Sequence, residues 1–71
     1  MNDKLLLLFG ARVKELRLKS NLSQEKLAEK SGFHRTYIGM IERGERNPSL
    51  KNVNILAKAF NITLEELMKG L

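Results

Sequence analysis

The sequence predicts an all-α fold: a compact five-helix domain with a helix-turn-helix at its second and third helices. Three observations carry this expectation. The 71-residue chain has a single proline, Pro48, and no alternating apolar–polar run long enough for a convincing strand. Apolar residues recur at helical three- and four-residue spacing along most of its length. Ser23, His34, Ser49 and Thr63 each stand just before such a stretch, where a helix needs an acceptor for its first free amides.

The elements follow in order. Leu5, Phe9, Val13 and Leu16 mark the inner face of a first helix over residues 3–19, with Arg12, Lys14, Glu15 and Lys19 outside. Ser23 caps a second helix, Gln24–Lys30, and Leu22 and Leu27 form a hydrophobic staple across the cap. Ser31-Gly32 stops it, because glycine takes positive φ at little cost. His34 caps a third helix, Arg35–Arg43, with Phe33 and Ile38 at the staple spacing and Gly44 closing it. After the polar loop Glu45-Arg46-Asn47-Pro48, Ser49 caps a fourth helix whose Leu50, Val53, Leu56, Ala57 and Phe60 share one face. Thr63-Leu64-Glu65-Glu66 has the pattern of a complete capping box, with Ile62 and Leu67 as staple, for a fifth helix over residues 64–69 that ends at Gly70.

Composition removes several function classes. A domain of this length buries only about 60% of its unfolded surface, so a partner subunit or very regular helix packing is expected. There is no cysteine, which excludes disulfides and thiolate metal sites, and one histidine cannot build a His-based zinc site. No metal and no cofactor are expected. With no Cys nucleophile and His34 the single histidine, no catalytic residue is expected and the chain does not read as an enzyme. The run Leu5–Phe9 is too short for a signal-peptide core, follows Asp3 and lacks a small-residue cleavage site. Nothing approaches the roughly 20 apolar residues of a membrane span. The chain therefore reads as cytoplasmic, with no membrane partner and no small-molecule ligand. The sequons Asn21-Leu22-Ser23 and Asn61-Ile62-Thr63 read as coincidental on that basis.

Charge is unevenly spread. Thirteen Lys/Arg against eight Asp/Glu give a net +5, all of it within the first 51 residues. The last 20 residues hold two basic and two acidic groups and are otherwise largely apolar. A basic excess fits a nucleic acid, an anionic surface or a merely soluble exterior.

Residues 24–43 narrow the choice. Two short helices flank a tight turn at Gly32; Ala28 is small where the next helix must cross, and Ile38 and Ile41 pin that helix to the core. In a helix-turn-helix the second helix offers its N-terminal residues to the DNA major groove. Its outward residues here are Arg35, Thr36, Tyr37, Gly39, Met40 and Arg43, with no acid among them.

The run LSQEKLAEKSGFHRTYIGMIERGERNPSL, Leu22 to Leu50, resembles the phage-repressor (Cro-like, XRE-type) helix-turn-helix family. The likeness extends from Gly10-Ala11-Arg12-Val13 to Ile62-Thr63-Leu64-Glu65-Glu66-Leu67, nearly the whole chain. The His-Arg-Thr-Tyr-Ile segment is most similar to the controller proteins of restriction–modification systems. The resemblance implies a transcriptional regulator that binds double-stranded DNA as a homodimer on a palindromic operator, with RNA polymerase a further partner of an activator. The same scaffold also serves antitoxins and anti-regulators that hold another protein, which is the alternative reading.

Roles carry onto matching positions. Arg35, Thr36 and Met40 fall where the family reads bases; a guanidinium bonds guanine O6 and N7 together, and Met40 stands where polar readers are common. Arg35 could instead contact phosphate. Ser23, Gln24, His34, Tyr37, Arg43, Arg46 and Asn47 fall where DNA-backbone or mixed contacts are made, with helix capping the other reading of His34 and simple packing that of Tyr37. Arg17 and Glu42 match an internal ion pair tying the recognition helix to the first helix. Gly39 either permits close approach to DNA or avoids a clash. At the opposite end, residues 49–71 supply part of the core and are expected to form, through Ile55, Ala59, Leu64, Leu67, Met68 and Leu71, a homodimer interface, with the fifth helix simply lidding the core as the other reading.

Overall fold

The computed structural model describes residues 3–71, and the elements it contains there are five helices. They are α1 (Lys4–Lys19), α2 (Gln24–Ser31), α3 (Arg35–Glu42), α4 (Leu50–Ala59) and α5 (Leu64–Leu67). None of them is long and apolar enough to cross a membrane. Each starts on a side-chain cap. The Asp3 carboxylate accepts from the Leu5 and Leu6 amides, Ser23 Oγ from Lys26, Ser49 Oγ from Asn52 and Thr63 Oγ1 from Glu66. At α3 the imidazole itself is the cap: His34 Nδ1 accepts from the Thr36 amide at 3.1 Å.

Helix ends are set with the same economy. Gly32, at φ +80°, turns α2 toward α3 in the left-handed conformation that a side chain resists. Asn21 and Asn61, also left-handed, end α1 and α4. In each case the amide two residues past the cap reaches back, Leu22 to the Arg17 carbonyl and Ile62 to that of Ala57, both at 3.0 Å. The asparagines of both sequons therefore have a backbone role in stopping helices.

The core is Phe9, Val13, Leu27, Ala28, Ile38, Ile41, Val53, Leu56, Ala57 and Leu67, which come from all five helices. Gly10 makes the tightest crossing. A Cβ placed there would collide with the Ile41 carbonyl and lie 2.7 Å from that of Glu42, so α1 and α3 touch backbone to backbone.

The structure corrects several expectations. Leu5 is 56% exposed and Leu50 73%, so neither belongs to the inner stripe assigned to its helix. Each sits in the first turn of its helix, where most of the side chain stays open to solvent. Arg12 is not an outer residue. Its guanidinium donates to the Glu66 and Leu67 carbonyls at 2.7 and 3.2 Å, closing the end of α5 against α1. The fifth helix stops at Leu67 rather than running over 64–69, with Met68 already its C-cap. The capping box is half formed, since only the Thr63 side chain bonds across it. Leu67 is fully buried in the core and is removed from the expected dimer face.

Candidate nucleic-acid interface

Arg35 and Thr36 open α3 immediately after the His34 cap, and both side chains are exposed. Behind them Ile38 and Ile41 are buried, which fixes the roll of the helix and keeps its first turn outward. Gln24, at the start of α2, faces the same side. Gln24, Arg35, Thr36, Gly39 and Arg43 line one open polar cleft of about 200 Å³. Its contents are two guanidiniums, an amide and a hydroxyl, a donor-rich set suited to the acceptor edges of bases and to phosphate oxygens.

The internal pair lies directly beneath. Arg17 grips Glu42 through Nε and Nη2 at 2.7 and 3.1 Å, and its Nη1 donates to the Leu22 carbonyl at 2.9 Å. Gln24 Nε2 donates to the same carboxylate at 3.1 Å. The side chains of Arg17 and Glu42 are 10% and 3% exposed, so the pair works in a low-dielectric setting. It ties α1, α2 and α3 at one point. No buried side-chain nitrogen or oxygen among the described residues lacks a partner.

A second cluster carries the loop after α3. The Tyr37 ring meets Phe33 edge to face, centroids 5.1 Å apart, and its hydroxyl accepts from Asn52 Nδ2 at 3.2 Å. The Arg46 guanidinium lies 5.4 Å above the Tyr37 ring. Tyr37 is thus both a packing residue and the platform that positions Arg46. Asn47 is exposed in the same loop.

Other predicted residues divide. Ser23 and His34 spend their acceptor atoms on helix caps. Met40 is half-buried, and Gly39 is buried beneath its neighbours rather than open to the outside. Arg43 pairs with Glu45. The hydrogen bond to Glu45 raises the Arg43 pKa and lowers that of Glu45 below the ordinary glutamate range. A depressed carboxylate pKa means that the pair is complete at neutral pH and opens only as pH falls through the lowered value. Three residues with roles here are not singled out by sequence reasoning: Glu45, Asn52 and Gly10. Glu45, two residues after an arginine and one after a helix-ending glycine, carries a usable signal. Asn52 carries none, because its partner is 15 residues away on another helix.

At the far end Ile55, Ala59 and Leu64 are half-buried, while Met68 and Leu71 are 38% and 39% exposed. These five keep apolar surface that the single chain leaves uncovered.

This arrangement matches known proteins closely. A helix-turn-helix family model covers residues 13–67. Control protein C.BamHI of Bacillus amyloliquefaciens is 49% identical over 69 residues, spanning 96% of this chain and 85% of that protein. The crystal structure of the restriction-modification controller protein C.AhdI from Aeromonas hydrophila superposes with a TM-score of 0.85 at 52% identity, covering 87% of this chain and 94% of that one. The restriction-modification controller protein C.Esp1396I, solved as a tetramer with its natural 35 base-pair operator, gives a TM-score of 0.86 at 33% identity, covering 94% of this chain and 92% of that one. The chain belongs to the helix-turn-helix family of DNA-binding transcriptional regulators, among its restriction–modification controller proteins.

Proposed function

We propose that two copies of this chain bind a palindromic operator in double-stranded DNA and thereby control transcription of a restriction–modification system. The observation that carries this reading is the outward first turn of α3, where Arg35 and Thr36 stand free beside Gln24 over a cap that fixes their direction. Arg35 and Thr36 read bases, with Met40 at the edge of the readout. Gln24, Tyr37, Arg46 and Asn47 set the position on the backbone, and Ser23 and His34 hold the two helix starts from which those contacts are made. Ile55, Ala59, Leu64, Met68 and Leu71 form the dimer face. RNA polymerase is a further partner where the operator lies upstream of a promoter. The regulator works in the cytoplasm, without cofactor, catalysis or small-molecule ligand.

Selection of bound duplexes from a random pool tests the reading. A palindromic consensus is expected, with affinity for it falling steeply with salt as phosphate counterions are released. Failure to recover any consensus would overturn it and favour a protein-binding role.

A further inference from the structure

By sequence position Arg43 should leave the end of the recognition helix toward the DNA backbone, yet the structure folds it back over that helix. The end of α3 explains how. The Glu45 amide donates to the Met40 carbonyl at 2.9 Å and the Gly44 amide to that of Ile41 at 3.0 Å. This closed turn returns the Glu45 carboxylate to Arg43, which it holds by two bonds, Nε to Oε2 at 2.8 Å and Nη2 to Oε1 at 3.2 Å. The remaining nitrogen, Nη1, lies over Gly39; a Cβ at that position would stand 3.1 Å from it and 3.6 Å from Gln24 Oε1. Gly39 and Arg43 line the polar cleft together with Arg35 and Thr36.

We propose that Arg43 is a second base-reading residue, with Glu45 its positioning residue and Gly39 the gap over which it lies; this rests on the DNA-binding reading above. A free arginine at a helix end samples many rotamers and settles on the nearest phosphate. In the structure a bidentate partner directs Arg43, although both side chains are about half exposed, and the carboxylate offsets its charge and disfavours phosphate. What remains is a directed N–H donor of low net charge. That suits a neutral acceptor in the major groove, guanine O6 or N7, better than it suits the backbone.

The test uses the full chain and its selected operator. Wild type, Glu45→Gln, Arg43→Ala and Gly39→Ala are compared on that duplex, on duplexes changed one base pair at a time, and on random duplex, across a salt series. Glu45→Gln is expected to bind random duplex more tightly, having lost a negative charge, yet to lose about tenfold of its preference at one guanine position. Arg43→Ala is expected to lose preference at that same position. Gly39→Ala should melt no lower than wild type, since the added methyl meets side-chain tips and no backbone, Arg43 Nη1 at 3.1 Å and the Gln24 amide at 3.6 Å, and should also lose that preference. If Glu45→Gln strengthens selected and random duplexes by one common factor, with every base preference intact, the proposal is overturned. A wild type that selects no consensus overturns the DNA reading instead, and this one with it.

Discussion

Gly10 and Gly39 are both buried helical glycines, but a methyl group would meet different obstacles at the two positions. At Gly10 the obstacles are backbone carbonyls, which cannot step aside without moving α1 off α3. Gly10→Ala is therefore expected to destabilise by about 1–3 kcal/mol, outweighing the roughly 1 kcal/mol that alanine adds to a helix. At Gly39 the obstacle is a side-chain tip, so Gly39→Ala should leave the midpoint of urea unfolding unchanged or raised. The Arg17–Glu42 pair has a different signature. Arg17→Met leaves a buried carboxylate without its main partner and should cost about 3–5 kcal/mol in chemical denaturation. Arg17→Met with Glu42→Leu should recover most of that loss, because neither charge is then buried alone. At the DNA face, Arg35→Ala is expected to relax base choice and weaken the selected operator, whereas Arg46→Ala weakens all sequences more evenly. Equal losses on selected and random duplexes for Arg35→Ala, measured by titration, would reassign it to the backbone.

Helices in this chain are defined locally at their ends and remotely along their sides, and that decides what can be read from sequence. Caps depend on residues two or three positions apart, so Ser23, His34, Ser49 and Thr63 are legible from the sequence alone. His34 is the least usual of them, and its role is testable: His34→Ala should lower stability by about 1 kcal/mol in thermal or urea unfolding, and His34→Asn should restore it. The helix-turn-helix is legible for the same reason, since its turn, staple and small crossing residue all lie within 20 residues, Gln24 to Arg43. Burial along the sides is less so. Leu5, Leu50 and Arg12 sit at sensible helical spacings, and only the lengths and crossing points of other helices show that the leucines are uncovered and the arginine enclosed. Leu67 is the clearest case. It belongs to an apolar C-terminal cluster, and only the seating of α5 against the core separates the residue that faces in from the residues that face out. Its burial makes Leu67→Ala a stability variant, with a cost of about 2–5 kcal/mol.

The described residues span 30 × 25 × 22 Å. Successive major grooves on one face of DNA are about 34 Å apart, so one copy presents one recognition helix to one groove and a palindromic site calls for two copies. Sedimentation should accordingly show mass rising with concentration toward that of a dimer. Replacing Ile55 or Met68 by lysine should hold the chain as a folded monomer with weakened operator binding. A wild type that stays monomeric at high micromolar concentration would rule out the C-terminal interface.

The ion pair beneath the recognition face also orders a neighbouring side chain before DNA arrives. A carboxylate only accepts hydrogen bonds, so the Gln24 amide must turn its nitrogen toward Glu42 and cannot flip over. Its oxygen and its second N–H therefore keep fixed directions in the cleft before any DNA arrives. Immobilising such a side chain at an interface ordinarily costs about 0.5–1.5 kcal/mol of entropy during association. Here that ordering belongs to folding, so a contact made by Gln24 adds to affinity with little entropic loss of its own.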